Sequence, residues 1–222
     1  MMKNFIALIL IFAFWFCNSQ IMDMPGEFIR QKVVNRNDLS KDIDGSPFFF
    51  KDFINGTVFM ADGKSYKGNI RYDAYNDEFQ LKINEEIVGL LKTENSRVLL
   101  NNENYFLYNY LENGEETTGY FIELTKPSGG IKLLLHKRKK FVEAVKAQNT
   151  YAQDKPAAFK EEINYYIVVK EKLDLINLSK KSILKFLGDK KNSIDNYISE
   201  HKFKLKSERE FIDLINYYNS IN

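Results

Sequence analysis

The pattern that most limits what this chain can fold into runs from Gly45 to about Val142. Apolar and polar residues alternate there in short runs, and turn signals interrupt them roughly every 8–12 residues. In "GTVFMADGKSYKGNIRYD" the dipeptide Asp62-Gly63 stands between two such runs and marks a hairpin, since Asp and Gly suit the positive φ of a tight β-turn. "NIRYDAYNDEFQLKI" alternates on both sides of a turn at Asn76-Asp77. Ile70 and Tyr72 share a face before it, and Phe79, Leu81 and Ile83 share one after it. "EIVGLLK", "SRVLLN" and "NYFLYNYL" continue the pattern, and Asn113-Gly114 marks another hairpin. "TKPSGGIKLLLHK" reads as a loop at Pro127 to Gly130 followed by a strand. Period two over this length predicts an antiparallel sheet, laid out as a sandwich or a small barrel.

The alternation fades in "FVEAVKAQNTYAQDKPAAFKEE", which reads as a turn or two of helix and a connector around Lys155-Pro156. "INYYIVVKEKLDLINL" reads as a last hairpin with Lys170-Glu171 near its turn. After that the period changes. Ser179 is placed to cap a helix carrying Ile183, Leu184 and Leu187 on one face, with Gly188 as its stop. Ile194, Tyr197 and Ile198 form a second apolar stripe. Ser207-x-x-Glu210 is a capping-box signature ahead of Phe211, Leu214, Ile215 and Tyr218 at helical spacing. The expected fold is therefore α+β: a polar N-terminal arm over 20–44 with one short strand at "FIRQKVV", an antiparallel β-rich domain over 45–178, and three short helices over 179–222.

The N-terminus sets the expected compartment. Met1-Met2-Lys3-Asn4 carries one positive charge, and "FIALILIFAFWF" is apolar from Phe5 to Phe16. That is the form of a secretory signal and is shorter than the roughly 20 residues a membrane-spanning helix needs. A cut between Ser19 and Gln20 puts Ser19 and Cys17 where a leader peptidase takes small side chains, so 1–19 reads as a signal peptide. In the rival reading, a lipoprotein signal, Cys17 becomes the acylated first residue. Phe14 and Phe16 then stand where leucine and a small residue belong, which disfavours it. Cleavage removes the only cysteine and the only tryptophan, and with them disulfides, thiol nucleophiles and cysteine metal sites. It also removes Lys3, lowering the formal net charge of +2 by one unit. A nearly neutral chain has no general attraction for nucleic acid, so no nucleic-acid partner is expected, and no transmembrane span remains after cleavage.

Few residues carry recognisable chemistry. The only histidines, His136 and His201, fall at a strand end and a helix end, where packing or the helix dipole accounts for them. No metal site or cofactor is expected. Ser128 in "PSGG" has loop composition and no base beside it, and no phosphate or calcium loop is present. Asp73, Asp77 and Glu78, and separately Glu115 and Glu116, could supply the paired carboxylates of a hydrolase, although acidic residues at turns are ordinary turn chemistry. The sharpest charge feature is "HKRKK", His136, Lys137, Arg138, Lys139 and Lys140, directly after the apolar strand "IKLLL". It reads as a surface for an anionic lipid headgroup, a glycan or an acidic protein, or as charges guarding a strand end. Tyrosines crowd the strands, and Tyr72 and Tyr108 are the candidates for an aromatic ligand surface.

"GTVFMADGKSYKGNIRYDAYNDEFQLK", "SEREFIDLINYYN" and a leader ending in Ser-Gln together resemble uncharacterised exported proteins of the Bacteroides–Flavobacterium group of Gram-negative bacteria. The resemblance spans most of the chain after the leader. It implies export to the periplasm or to the outer membrane's periphery, and carries over no catalytic residues. A helical C-terminus in place of a β-sandwich sorting domain favours the periplasm. The expected function is a non-catalytic envelope protein acting by binding, its partner another envelope protein, a glycan or an anionic lipid headgroup. A small-molecule or lipid-binding barrel lined by Tyr72, Phe79, Leu81 and Tyr108 is the alternative, and a carboxylate-dependent hydrolase the least favoured. Mass spectrometry of the mature protein should find Gln20 as its first residue, whereas an acylated Cys17 would establish the lipoprotein reading.

Overall fold

The computed structural model describes residues 24–30, 43–126, 130–147 and 153–221. The leader with Cys17, most of "FIRQKVV" and Pro127 to Gly129 lie outside them. The strands in chain order are β1 (Ile29–Arg30), β2 (Ile43–Asp44), β3 (Ile54–Phe59), β4 (Ser65–Asp73), β5 (Glu78–Ile83) and β6 (Glu86–Leu90). They continue as β7 (Arg97–Leu100), β8 (Glu103–Glu112), β9 (Glu115–Glu123), β10 (Lys132–Val142), β11 (Ala157–Val169) and β12 (Lys172–Ile176). Helices α1 (Lys180–Phe186), α2 (Lys191–Glu200) and α3 (Glu208–Ser220) follow. The antiparallel β-rich body and the helical C-terminus are those the sequence predicts.

The layout is neither two separate sheets nor a closed barrel. Among the described residues one sheet of twelve strands runs in the order β1-β6-β5-β4-β3-β7-β8-β9-β10-β11-β12, with β2 added in parallel to β11. It is curled into a half-barrel. The expected hairpins form where the turn residues predict them. Gly63 (φ 83°) turns β3 into β4, Asn113 and Gly114 (φ 54° and 89°) join β8 to β9, and Lys170 and Glu171 (φ 49° and 67°) join β11 to β12.

One stretch departs from expectation. The supposed helix at "FVEAV" is the end of β10 followed by a bridge between Val145 and Lys155, and β11 starts at Ala157 instead of near Ile163. β10 and β11 pair along all of Lys132–Val142, far past the two residues by which β10 pairs with β9. A hairpin arm reaching beyond its sheet has little to bury, so it does not need the apolar alternation that marks a strand in sequence.

Alternation puts the core on one face. Val58, Ile70, Tyr72, Phe79, Leu81, Val98, Tyr105, Tyr120 and Leu135 are buried together inside the curl. Their rings stack edge to face, with Phe79 lying 4.7 Å from Tyr120 and 5.1 Å from Tyr105. The interior of the curl is thus filled by side chains. The same face of β10–β12 continues outward under the helices, where Leu133, Ile167 and Ile176 meet Ile183, Leu187, Ile194, Phe211, Leu214 and Ile215. Leu124 and Tyr165 touch both clusters, so sheet and helices share one continuous apolar layer. The caps are as the sequence predicts. Ser179 Oγ accepts from Ser182 N–H, and Ser207 and Glu210 form the reciprocal capping box. Asn219 fastens α3 to the sheet, accepting from Ile131 N–H at 3.0 Å and donating to Ile131 C=O at 2.7 Å.

Candidate functional site

Two places bring together side chains singled out in the sequence. The first is a buried polar centre at the β4–β5 turn. Asp73 shapes that turn, its Oδ1 accepting from Tyr75 N–H at 3.1 Å and Asn76 N–H at 3.0 Å. Asp77 follows in the left-handed region at φ 54° and turns its carboxylate inward. There it accepts from Tyr72 Oη at 2.5 Å, Lys92 Nζ at 2.9 Å and Tyr120 N–H at 3.2 Å. Tyr120 lies on β9, whose ladder to β10 consists only of Leu134↔Glu123 and Leu135↔Ile122. Beyond that pair the strands part, and the turn enters the split. Its other side is held by β10: Ala74 C=O accepts from Lys139 N–H and from Arg138 Nε, both at 3.0 Å, and Tyr75 C=O accepts from Arg138 Nη2 at 3.0 Å. Gly119 on β9 makes this approach possible, because a Cβ there would stand 2.8 Å from the Tyr110 ring and 3.0 Å from Asp77 Oδ2.

Electrostatics follow from the burial. Desolvation, aided by the Asp77 charge, pushes the Tyr72 phenol well above the ordinary tyrosine range, so it stays a donor. Arg138 is desolvated too, but Asp77 and the tyrosines around it outweigh that and hold it charged. His136 sits behind Arg138. Its ring is 2% exposed, stacks on Phe121 at 4.2 Å and meets the edge of Tyr110 at 5.1 Å. Its Nε2 has no hydrogen-bond partner among the described residues. Burial pushes its pKa down to about 4; the charges of Arg138 and Lys92 add to this and Asp77 opposes it.

The basic run is therefore distributed over two sheet faces. It lies within β10 instead of after it, opposite Asn164 to Lys160 of β11. Strand alternation sends its members to opposite sides. His136 and Arg138 are packed on the outer face. Lys137 pairs with Glu103, and Lys139 pairs with Glu161 at 3.1 Å with its ammonium 4.7 Å from the Phe49 ring. Lys140 is exposed. Tyr72 lies in the core, on the opposite face from Tyr108, so the two do not line one cavity.

The second place is a groove of about 910 Å³ on the outer face. The sheet bends sharply there. Tyr110 on β8 and Tyr166 on β11 have ring centroids 6.1 Å apart, although three strand spacings in a flat sheet amount to about 14 Å. Tyr110, Phe121, Leu134, Tyr166 and Val168 fill the bend, and the groove opens beyond them. Arg97, Phe106 and Tyr108 form one wall, Lys132, Glu171 and Leu173 the other, and Lys92, Glu94, Asn95 and Ser96 close one side. Tyr108 hydrogen-bonds to the Glu123 carboxylate, while Lys132 Nζ bonds Glu123 at 2.8 Å and Tyr108 Oη at 3.1 Å. Burial and the bond to Glu123 push the Tyr108 phenol up to about 12. Of the groove's residues the sequence singles out only Tyr108. Spacing within β8 puts Phe106 on the same face, but Arg97 and Lys132 arrive through pairings between separate hairpins, which a single sequence does not display.

The candidate carboxylates form two separate groups, one at the β4–β5 turn, where Asp73 faces Glu78 across the ladder, and one at the start of β9. Asp73 and Asp77 serve the turn, Glu78 binds Arg30 at 2.7 Å, and Glu115 and Glu116 are exposed at the start of β9. His201 Nδ1 lies 3.0 Å from Tyr197 C=O at the end of α2. Among the described residues no group of three or more His, Cys, Asp or Glu side chains could hold a metal, and no helix is long and apolar enough to cross a membrane. Comparison with protein-family models, curated proteins and solved structures finds no match to this chain.

His136 gives the site a pH signature. It is neutral in both states well above its unfolded value of about 6.5. Between there and about 4 the unfolded chain binds a proton that the folded protein refuses, so stability falls as pH falls, by about 1.4 kcal/mol per pH unit at most. Urea unfolding at pH 7 and pH 4.5 should show His136→Phe losing less stability on acidification than the native chain. Equal losses in the two proteins would contradict the assignment.

Proposed function

We propose that this chain is a non-catalytic protein exported to the envelope of a Gram-negative bacterium, that it acts by binding, and that its ligand is a glycan held in the outer-face groove. What supports the reading is the groove's chemistry. The rings of Phe106 and Tyr108 offer apolar faces for a sugar ring, and Arg97, Asn95, Asn109, Glu123 and Lys132 surround them with donors and acceptors. An anionic lipid headgroup would use the cations alone, whereas a glycan uses the rings and both signs of charge. Binding is favoured over hydrolysis because Asp73 and Glu78 are engaged in turn and strand contacts, and Asp77, which meets the groove through Lys92, spends its oxygens on Tyr72, Lys92 and the Tyr120 amide. A ligand inside the curl is disfavoured by the packed rings of Tyr72, Phe79, Tyr105 and Tyr120. The envelope address rests on the leader, with its apolar run and small residues before Gln20.

Isothermal titration with soluble fragments of Gram-negative envelope polysaccharide tests the reading. Binding should weaken at least tenfold in Tyr108→Ala and in Arg97→Ala, with circular dichroism unchanged. Native affinity in both variants, or no heat with any fragment, would overturn the glycan groove.

A further inference from the structure

A second site stands at the end of the sheet. β12 pairs with β11 on one side, and among the described residues no strand pairs with its other edge. Beside that edge runs α1, and between them lies a groove of about 550 Å³ lined by Lys172, Asp174, Ile176, Ser182, Lys185 and Phe186. An open edge flanked by a helix offers two things to an extended chain: a row of backbone groups to pair with, and a trough for alternate side chains.

The register says which groups are offered. Lys170 and Glu171 form a two-residue turn with both φ positive, and Val169 faces Lys172 directly. In such a hairpin the flanking pair carries the inter-strand hydrogen bonds, so Lys172, Asp174 and Ile176 bond inward while the N–H groups of Leu173 and Leu175 point outward. Side chains alternate too. Ile176 lies in the cluster under the helices, which puts Lys172 and Asp174 on the α1 side of the edge and Leu175 on the other side, 63% exposed. The α1 side is cationic. Helix α1 carries Lys180, Lys181 and Lys185 and no acidic residue, and across the groove Lys172 is ion-paired with Asp174 at 2.8 Å on the exposed edge.

We propose that β12 and α1 form a docking site for an extended segment of a partner protein, which adds as an antiparallel or parallel strand and alternates acidic with aliphatic residues. The acidic side chains point toward Lys185 and Lys172, and an aliphatic one covers Leu175. The short length of β12 and its charges guard against indiscriminate pairing, and the cations of α1 choose the sign of the segment that is admitted. The site uses the free edge of β12 and the α1 side, whereas the outer-face groove uses the side chains of Glu171 and Leu173 on the other face, so it stands whether or not that groove binds a glycan.

Fluorescence anisotropy with a labelled Glu-Val-Glu-Val-Glu-Val-Glu peptide tests the site, with the Lys-Val analogue as control. The native chain should bind the acidic peptide at least tenfold more tightly than the basic one. Lys185→Glu should lose at least tenfold. Leu175→Pro removes an outward N–H without breaking the ladder to β11, and should abolish binding while leaving urea stability nearly unchanged. Leu175→Ala keeps that N–H and should bind more weakly than the native chain but more tightly than Leu175→Pro. Equal affinity for the two peptides, native binding by Leu175→Pro, or no binding of the acidic peptide would each overturn the proposal. So would sedimentation showing that the edge is already covered by a second copy of the chain.

Discussion

The Asp77 carboxylate is the contact on which the rest of the structure depends. Its side chain is only 4% exposed, and an ionised group so placed is costly unless its lone pairs are satisfied. Here a phenol, an ammonium and a backbone N–H satisfy them, and these come from β4, from the segment after β6 and from β9. One charge thereby ties three parts of the sheet to one turn. The Tyr120 N–H is the donor that β9 would otherwise offer to β10. Asp77 takes the place of a strand, and the sheet opens without leaving a buried amide unpaired.

From that opening the remaining architecture follows. β9 and β10 stay joined at two residue pairs and diverge on the far side around the turn, with Arg138 bonding two of the turn's carbonyls. The sheet bends about the short ladder, so the outer face closes on Tyr110, Phe121, His136 and Tyr166. Where the aromatic filling stops, the groove containing Tyr108 begins. On the inner face β10 carries Leu133 under the helices and Leu135 into the curl, which is why helices and half-barrel are parts of one layer. The aromatic bend and the groove lie on the outer face, and the polar centre sits in the split between β9 and β10 and reaches the inner core through Tyr72.

Much of the fold is legible in the sequence because its signals are local. Asp62-Gly63, Asn113-Gly114, Ser179 and the Ser207/Glu210 box act within a few residues of themselves, and each does in the structure what it does in isolation. The end of β10 reads wrongly as helix because Phe141 and Val142 pair with β11 alone, past the ladder to β9, where little apolar alternation is needed. The site is less legible. Asp77 reads as a turn acid, and nothing near it in sequence reveals that it reaches a backbone amide on β9. "HKRKK" reads as a cationic patch, whereas alternation on a strand buries His136 and sends Arg138 and Lys139 to opposite faces. Tyr108 alone among the sequence candidates stands in the groove, because an aromatic pair on one strand face is visible at period two.

The role of Asp77 is open to a direct measurement: amide hydrogen exchange of Asp77→Ala against the native chain. Loss of the carboxylate strands a lysine and a phenol, so overall stability should drop by about 3 kcal/mol. The Tyr120 and Lys139 amides should lose more protection than those of the β3–β4 ladder, since they depend on the turn staying in the split. If Tyr120 and Lys139 exchange no faster relative to β3 and β4 than in the native chain, the turn is a passenger and something other than Asp77 bends the sheet.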